Sequence, residues 1–321
     1  MSTLRDLLAE IETSPQGPAT AALFDLDRTL IAGFSAQDVL VERAVSGDMA
    51  LHTLFETIRS AVEYGTGRIE FVEFVNRAAA DLGGRPDADN VAFGQRVFDK
   101  RVAQRIYPEA RALIAAHRKR GHTLAVISSA TPYQVEPVAR DLGIENVLCT
   151  QLEVRDGICT GRVLEACFGP GKAVAAQRLA AAKQLDLATS FFYSDGHEDL
   201  PLLEVVGRPR PLNPDGRLSS AARQRGWPTT HFESRGTPTL LNLARMGMAY
   251  GAALPAGLFS LADFALNGSA RDARNLFNAL WGELAAAAVD LKVTVRGEDN
   301  LWARRPAVFV FNHQSALDAV V

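Results

Sequence analysis

Cysteine is scarce in this sequence. The chain holds three, Cys149, Cys159 and Cys167, and no C-x-x-C pair. That pattern excludes a disulfide framework and a cysteine-built zinc site, and it fits a reducing cytosol. A basic excess is missing as well: 34 Lys+Arg stand against 37 Asp+Glu, a net charge of −3. A dedicated nucleic-acid binder carries the opposite balance, so no nucleic-acid partner is expected. The opening stretch MSTLRDLLAEIETSPQGP lacks the apolar core of a signal peptide, because charges interrupt its periodicity. The sequence has no internal repeat and no low-complexity tract.

What is present is apolar. Hydrophobic residues make up 47% and charged residues 22%, enough to build a sizeable core. A length of 321 residues suggests two domains, at about 100–200 residues each. The mean hydropathy of +0.00 is high for an ordinary soluble enzyme, so the apolarity must be concentrated somewhere. One long uncharged run, MGMAYGAALPAGLFSLA, lies between Arg245 and Asp263. It sits at the short end of the roughly 17–25 residues that span a bilayer, and Pro255 and three glycines interrupt it.

Along the chain, residues 1–17 read as a short amphipathic helix ended by Pro15 and Gly17. Ala21 to Phe24 is an apolar run followed by acids, the pattern of a buried parallel strand with polar groups at its carboxyl end. From about Ser35 to Ala103 the pattern is helical. Leu51, Leu54, Phe55 and Ile58 recur at helical spacing, as do Phe71, Phe74, Val75 and Ala78. Strand–helix alternation resumes at Pro108, with a helix over 109–120 and a strand over 122–128. A helix over Pro132–Leu142 and the strand NVLCT follow. A hairpin over 151–164 turns on Asp156-Gly157. A helix over Lys172–Lys183, the strand SFFYSD, a short helix after Glu198, a strand before Asn213 and a helix over Leu218–Gln224 complete this part. Strands alternating with helices predict an α/β fold, a doubly wound parallel sheet, with the all-helical block inserted after the first strand.

Four polar clusters fall at strand ends in this scheme. They are Asp25, Asp27 and Thr29 (D-x-D-x-T), then Ser128 with Ser129. Lys172 follows Gly169-Pro170-Gly171, and Asp195 and Asp199 come after the SFFY strand. Ligands of open α/β sheets bind at the carboxyl ends of strands. Any one cluster has a plain structural reading, as a helix cap, turn chemistry or a solvated lysine. Their shared order, spacing and strand-end placement point to a site.

FDLDRT, VISSAT, GPGK and YSDGHEDLPLL, with the tail GRPRPLNPDGRLSSAARQRGW, resemble the haloacid dehalogenase (HAD) phosphatase superfamily. The likeness is to subfamily IB, with a helical cap after the first motif, which includes phosphoserine phosphatases. It covers residues 20–232. It implies a Rossmann-like phosphatase domain over 1–236 with a cap at about 34–106. By this resemblance Asp25 is the nucleophile that becomes an aspartyl-phosphate, and Asp27 is the general acid and base. The implied Mg²⁺ is held by Asp25, the backbone carbonyl of Asp27, and Asp195. Asp199 supports the metal or orients Lys172. Ser128 donates to a phosphate oxygen, Lys172 supplies charge, and Thr29 buttresses the loop. Ser129 and Phe34 are expected to face the substrate. Oxygen ligands suit Mg²⁺, and no His/Cys cluster suggests zinc.

One departure stands out. Phosphoserine phosphatases place a substrate-binding glutamate shortly after the first motif, where this chain has Phe34. An aromatic ring cannot hold an ammonium by charge, though a cation–π contact remains open. Arg59, Arg68 and Arg77 lie in the cap as candidates for an anionic substrate, with a solvated helix face as the competing reading. The substrate is expected to be a small phosphomonoester. Phosphoserine, a lipid phosphate, and a sugar or polyol phosphate all fit.

Near the C-terminus, FNHQSALD places His313 and Asp318 as H-x₄-D after the apolar run PAVFVF. The string N-H-Q-S-x-x-D after VTVRGEDNL resembles the glycerolipid acyltransferases that acylate 1-acylglycerol-3-phosphate, over residues 275–321. There the His is a general base oriented by the Asp. The later blocks of that family are not in this sequence, so residues 237–321 read as an apolar helical segment and an incomplete acyltransferase-like domain. No acyl transfer is expected of this chain. The resemblance implies the phosphatase half of a phosphatase–acyltransferase fusion in phospholipid or serine metabolism. Its alternative is an acyltransferase with the HAD unit as accessory. Residues 237–266 would then contact a membrane surface as an interfacial or re-entrant helix pair, or form a core helix. The expected location is cytoplasmic, peripheral at the inner face of the plasma membrane. Oligomeric state is not readable.

Overall fold

A computed structural model describes residues 2–46, 59–60, 63, 68–232, 234 and 240–291. Part of the expected cap periodicity (Leu51, Leu54, Phe55, Ile58) and the C-terminal motif residues His313 and Asp318 lie outside the described residues. The chain divides into two compact units, Met1–Gly236 and Thr237–Val321.

The first unit is built on a five-stranded parallel sheet. Its strands are β1 (Ala21–Phe24), β2 (Thr123–Ser128), β3 (Asn146–Cys149), β6 (Phe191–Ser194) and β7 (Arg208–Pro211), in the order β3-β2-β1-β6-β7. β1 pairs with β2 from Ala21↔Thr123 to Phe24↔Val126, and with β6 from Ala22↔Phe191 to Phe24↔Tyr193. Pro209 and Pro211 occupy β7, an edge strand, where a missing N–H costs least.

Alternate residues of each strand feed two cores. Ala22, Phe24, Val126, Phe191 and Tyr193 pack on one face with α1 (Leu4–Thr13), α5 (Pro108–Lys119) and α6 (Pro132–Leu142). Ala21, Leu23, Ala125, Ile127 and Phe192 pack on the other with α7 (Pro170–Lys183), α8 (Leu200–Leu203) and α9 (Gly216–Arg225). Both faces are covered, which is why these strands read as continuous apolar runs.

A chain of neutral side chains threads the first core. His122 Nε2 lies 2.7 Å from the Pro15 carbonyl, so it carries the proton and donates. His122 Nδ1 must then accept from His117 Nδ1, at 2.8 Å. His117 Nε2 accepts in turn from the Tyr193 hydroxyl, at 2.8 Å. Burial and the neighbouring His122 push the His117 pKa well below its usual value.

Among the described residues the cap includes α2 (Ser35–Ser46), α3 (Phe71–Ala80) and α4 (Asp87–Val97), the last running into a π-helical turn, Phe98–Val102. Glu42 is buried between α2 and that turn, bound by Lys100 at 2.7 Å and Arg101 at 2.9 Å. The predicted hairpin is present as β4 (Gln151–Arg155) and β5 (Ile158–Glu165). Asp156 and Gly157 both have positive φ, 50° and 76°, as such a turn requires. The hairpin is hydrogen-bonded to the cap: Gly84 N–H donates to Cys159 O, Cys159 N–H to Arg85 O and Asp87 N–H to Gly157 O. It is a second piece of the lid, far from the first in sequence.

The second unit contains α10 (Leu240–Gly251), α11 (Ala253–Asn267) and α12 (Ala270–Ala288). Among the described residues one helical stretch, Ala244–Asn267, is long and apolar enough to cross a membrane, and little of it is buried. Pro255 falls in the first turn of α11, where its missing N–H is tolerated. Trp281 of α12 donates to the Ala249 carbonyl at 3.1 Å and stacks on Phe277.

Candidate active site

The strand order reverses at β1, with β2 on one side and β6 on the other. Ligands of open α/β sheets bind at such a switch point, outside the carboxyl ends of the strands. Asp25 is the first residue past β1, and its N–H still donates to Tyr193 O at 2.9 Å. Asp195 is the first residue past β6. The parallel pairing therefore sets the two carboxylates side by side.

The loop after β1 is a tight reversal. Leu26 is fully buried, and its carbonyl accepts from Leu30 and Ile31 N–H. Arg28 adopts a positive φ of 56°, and its N–H donates to Gly33 O. Asn213 Nδ2 donates to the Arg28 carbonyl at 2.8 Å and holds this bend. The Arg28 guanidinium consequently lies 3.1 Å from Asp195. Asp27 accepts the Ser35 N–H at 2.7 Å, and Gln134 fixes the Ser35 hydroxyl at 2.9 Å.

Lys172 is the third residue of α7. Gly169, at φ 52°, and Pro170 turn the chain into the helix. The lysine is 3% exposed, and its Nζ bridges Asp25 Oδ1 at 2.6 Å and Asp199 Oδ2 at 2.8 Å. Ser194 Oγ also donates to Asp199 Oδ2, at 2.6 Å. Asp199 is thereby a positioning group for the lysine.

Three buried carboxylates, Asp25, Asp195 and Asp199, and the half-buried Asp27 crowd this corner, and among the described residues Lys172 and Arg28 are the cations that reach them. Burial pushes the Asp25 pKa up to about 7, and the charges of Asp199 and Asp27 add to it against the pull of Lys172. Asp195 is pushed up to about 8, by burial first and then by Asp25. Burial also raises Asp27, against the Ser35 hydrogen bonds. Burial opposes the charge on Lys172, but Asp199 and Asp25 outweigh it and hold its pKa above the usual lysine value.

These groups open into a cavity of about 440 Å³ between sheet edge and cap. Of the expected site residues, Asp25, Asp27, Phe34, Ser129, Lys172, Asp195 and Asp199 line it. Ser128 is buried beneath, its Oγ accepting the Ala130 N–H at 3.2 Å. Thr29 is fully buried outside the lining, and its hydroxyl has no partner among the described residues. Arg59, Arg68 and Arg77 are also outside the lining, and Arg77 is spent on Glu63 and Glu73. Sequence pattern alone does not single out Arg28, Ser35 or Ser194 as site residues. Ser35 carried the one available signal, a serine at a helix start. His197, Glu198 and Asp215 also converge, their ligand atoms within 4.8 Å of one another beside Asp195.

The family model of the haloacid dehalogenase-like hydrolases matches residues 22–204. The chain belongs to this family. It is a hydrolase of phosphatase type, with the parallel sheet and flanking helices of the HAD fold. Over 251 residues it is 34% identical to "Phosphoserine phosphatase SerB1" of Mycobacterium tuberculosis, covering 72% of this chain and 79% of that one. It is 29% identical to "Histidinol-phosphatase" of Neisseria meningitidis, covering 66% of this chain and 98% of that one. Among solved structures, a Bordetella pertussis protein of unknown function aligns at TM-score 0.61 and 27% identity, covering 66% of this chain and 98% of that one.

Proposed function

We propose that this HAD hydrolase is a Mg²⁺-dependent phosphomonoesterase acting through a phosphorylated Asp25. The observation that carries the reading is the convergence of Asp25, Asp27, Lys172, Asp195 and Asp199 at one sheet edge, in a cavity that cap residues also line. An Asp25 oxygen attacks phosphorus, and the P–O bond to the alcohol breaks. Asp27 gives its proton to the departing oxygen; burial raises its pKa, which favours the protonated form that this step needs. Asp27 then takes a proton from water, which attacks the same phosphorus and releases phosphate and free Asp25. Lys172 opposes the burial that raises the Asp25 pKa, and its charge would neutralise the incoming phosphoryl oxygens.

The donor set fits a hard dication. The Asp25 and Asp195 carboxylates are buried side by side, burial and their neighbouring acids raise both pKa values, and every candidate ligand is oxygen. Asp25, Asp195 and the Asp27 carbonyl would hold it. When bound, Mg²⁺ lowers the repulsion between Asp25 and the phosphate and stabilises charge on the transferring group. Asp25→Asn should lose at least about a thousand-fold in turnover of a generic phosphomonoester. Turnover at the wild-type rate would remove the assignment.

For residues 237–321 we propose the front of an acyltransferase-like domain that docks on the inner face of the plasma membrane, placing the phosphatase in phospholipid or serine metabolism. Support comes from the string around His313 and Asp318 and from the exposed apolar stretch Ala244–Asn267. Flotation with anionic liposomes tests it: the full chain should float, and a chain ending at residue 236 should not.

A further inference from the structure

The cavity over Asp25 is two-faced. Its floor carries the carboxylates and Lys172, but its upper walls are largely apolar. Five phenylalanine rings line it: Phe34, Phe71, Phe74, Phe93 and Phe168. Phe71 of the cap stacks on Phe168, in the loop before α7, with ring centres 3.8 Å apart. That contact closes the lid over one side with apolar surface. Phe93 is covered by the Arg43 guanidinium, 5.5 Å from its centre.

The position of Phe34 decides what these rings meet. Phe34 immediately precedes Ser35, whose N–H binds Asp27 at 2.7 Å. Asp27 is the group that protonates the leaving oxygen. In-line displacement sends that oxygen away from Asp25, into the cavity that Asp27 and Phe34 both line. Phe34 is 46% exposed, and the Arg28 guanidinium lies 5.9 Å from its ring centre. The ring therefore offers free apolar surface to the leaving group. Arg43 and Asp81 are the charged groups that the described part of the cap contributes to the lining. Arg43 and Asp81 are one cation and one acid, and most of the remaining cap lining is apolar, so an alkyl or aryl body is buried there at less desolvation cost than a zwitterionic one.

We infer that the substrate is an amphiphilic phosphomonoester, one whose alcohol carries an alkyl, acyl or aryl body that fills the phenylalanine-lined cavity. The inference rests on the phosphatase reading of the same site and specifies its substrate class.

A homologous series tests it: ethyl, butyl, hexyl and octyl phosphate beside O-phosphoserine, using the full chain with Mg²⁺. Each methylene buried among the rings should raise kcat/KM about four-fold until the cavity is full. O-phosphoserine should fall below butyl phosphate. Phe34→Ala should lower the octyl-to-ethyl ratio several-fold, and Phe34→Leu should restore part of it. A flat series, or O-phosphoserine as the best substrate, overturns the inference and leaves the phosphatase reading standing. No hydrolysis of any ester, with no phosphoryl group found on Asp25, would bring down both.

Discussion

Lys172 is the charge on which the site balances, and replacing it with methionine separates the site's chemistry from its stability. Its Nζ lies 2.6 Å from Asp25 and 2.8 Å from Asp199, and both acids are buried. Lys172→Met keeps the volume and leaves both carboxylates without their shared partner. Removing one member of a buried ion pair costs about 3–5 kcal/mol. In a unit of this size that corresponds to a fall in Tm of about 6–20 °C without added cation. The Asp25 pKa, already pushed up to about 7, should rise further, because the largest attraction opposing its protonation is gone. The nucleophile would then be protonated at neutral pH, and the rising limb of the pH–rate profile should move to higher pH. The assays are thermal unfolding and kcat/KM against pH. The double variant Lys172→Met with Asp199→Asn removes one stranded charge. It should regain part of the stability while its turnover stays low. A single variant as stable as wild type, with an unmoved profile, would refute the account of Lys172 as the charge that holds these acids together.

Other outcomes follow from the same geometry. Mg²⁺ at 100 times its Kd should stabilise the phosphatase unit by about 2.7 kcal/mol. Asp195→Asn should abolish most of that gain in Tm. Protons compete for the same carboxylates, whose folded pKa values of about 7 and 8 exceed the unfolded ones, so the gain should shrink as pH falls below about 8. His117 has the opposite sign. Its folded pKa is depressed, so the unfolded chain binds the extra proton and stability is lost as pH falls below about 6.5. The loss is about 1.4 kcal/mol per pH unit until His117 itself titrates. Denaturation midpoints of wild type and His117→Asn between pH 6.5 and 5 should therefore converge; parallel curves would show that His117 is not held neutral.

The sheet and the acid clusters were legible because both carry local signals. Ala21–Phe24 is a doubly buried strand and reads as an unbroken apolar run, and the acids directly after it announce the strand end. The neighbourhood of Asp25 and Asp195 followed from the parallel order, since strands that flank a switch point share an edge. The hairpin was legible as a hairpin from Asp156-Gly157, but not as part of the lid. Its attachment runs through backbone bonds such as Gly84 N–H to Cys159 O, which leave no pattern in side-chain type. The His122–His117–Tyr193 chain was invisible for a related reason, since His117 and Tyr193 are 76 residues apart and meet only once the sheet is formed. Phe71, Phe74 and Val75 announced an apolar helix face, as their spacing predicted. Only the structure shows that this face looks into the catalytic cavity.

The central claim is that Asp25 carries the phosphoryl group during turnover. It is tested most directly by acid-quenching the enzyme during steady-state hydrolysis of a phosphomonoester with Mg²⁺ and mapping the adduct by mass spectrometry. A phosphoryl adduct is expected on the peptide containing Asp25, absent in Asp25→Asn and, with an aryl phosphate whose leaving group needs no proton, accumulating in Asp27→Asn, where water is no longer activated. Sustained turnover with that peptide unmodified, or an adduct on another residue that persists in Asp25→Asn, would contradict it.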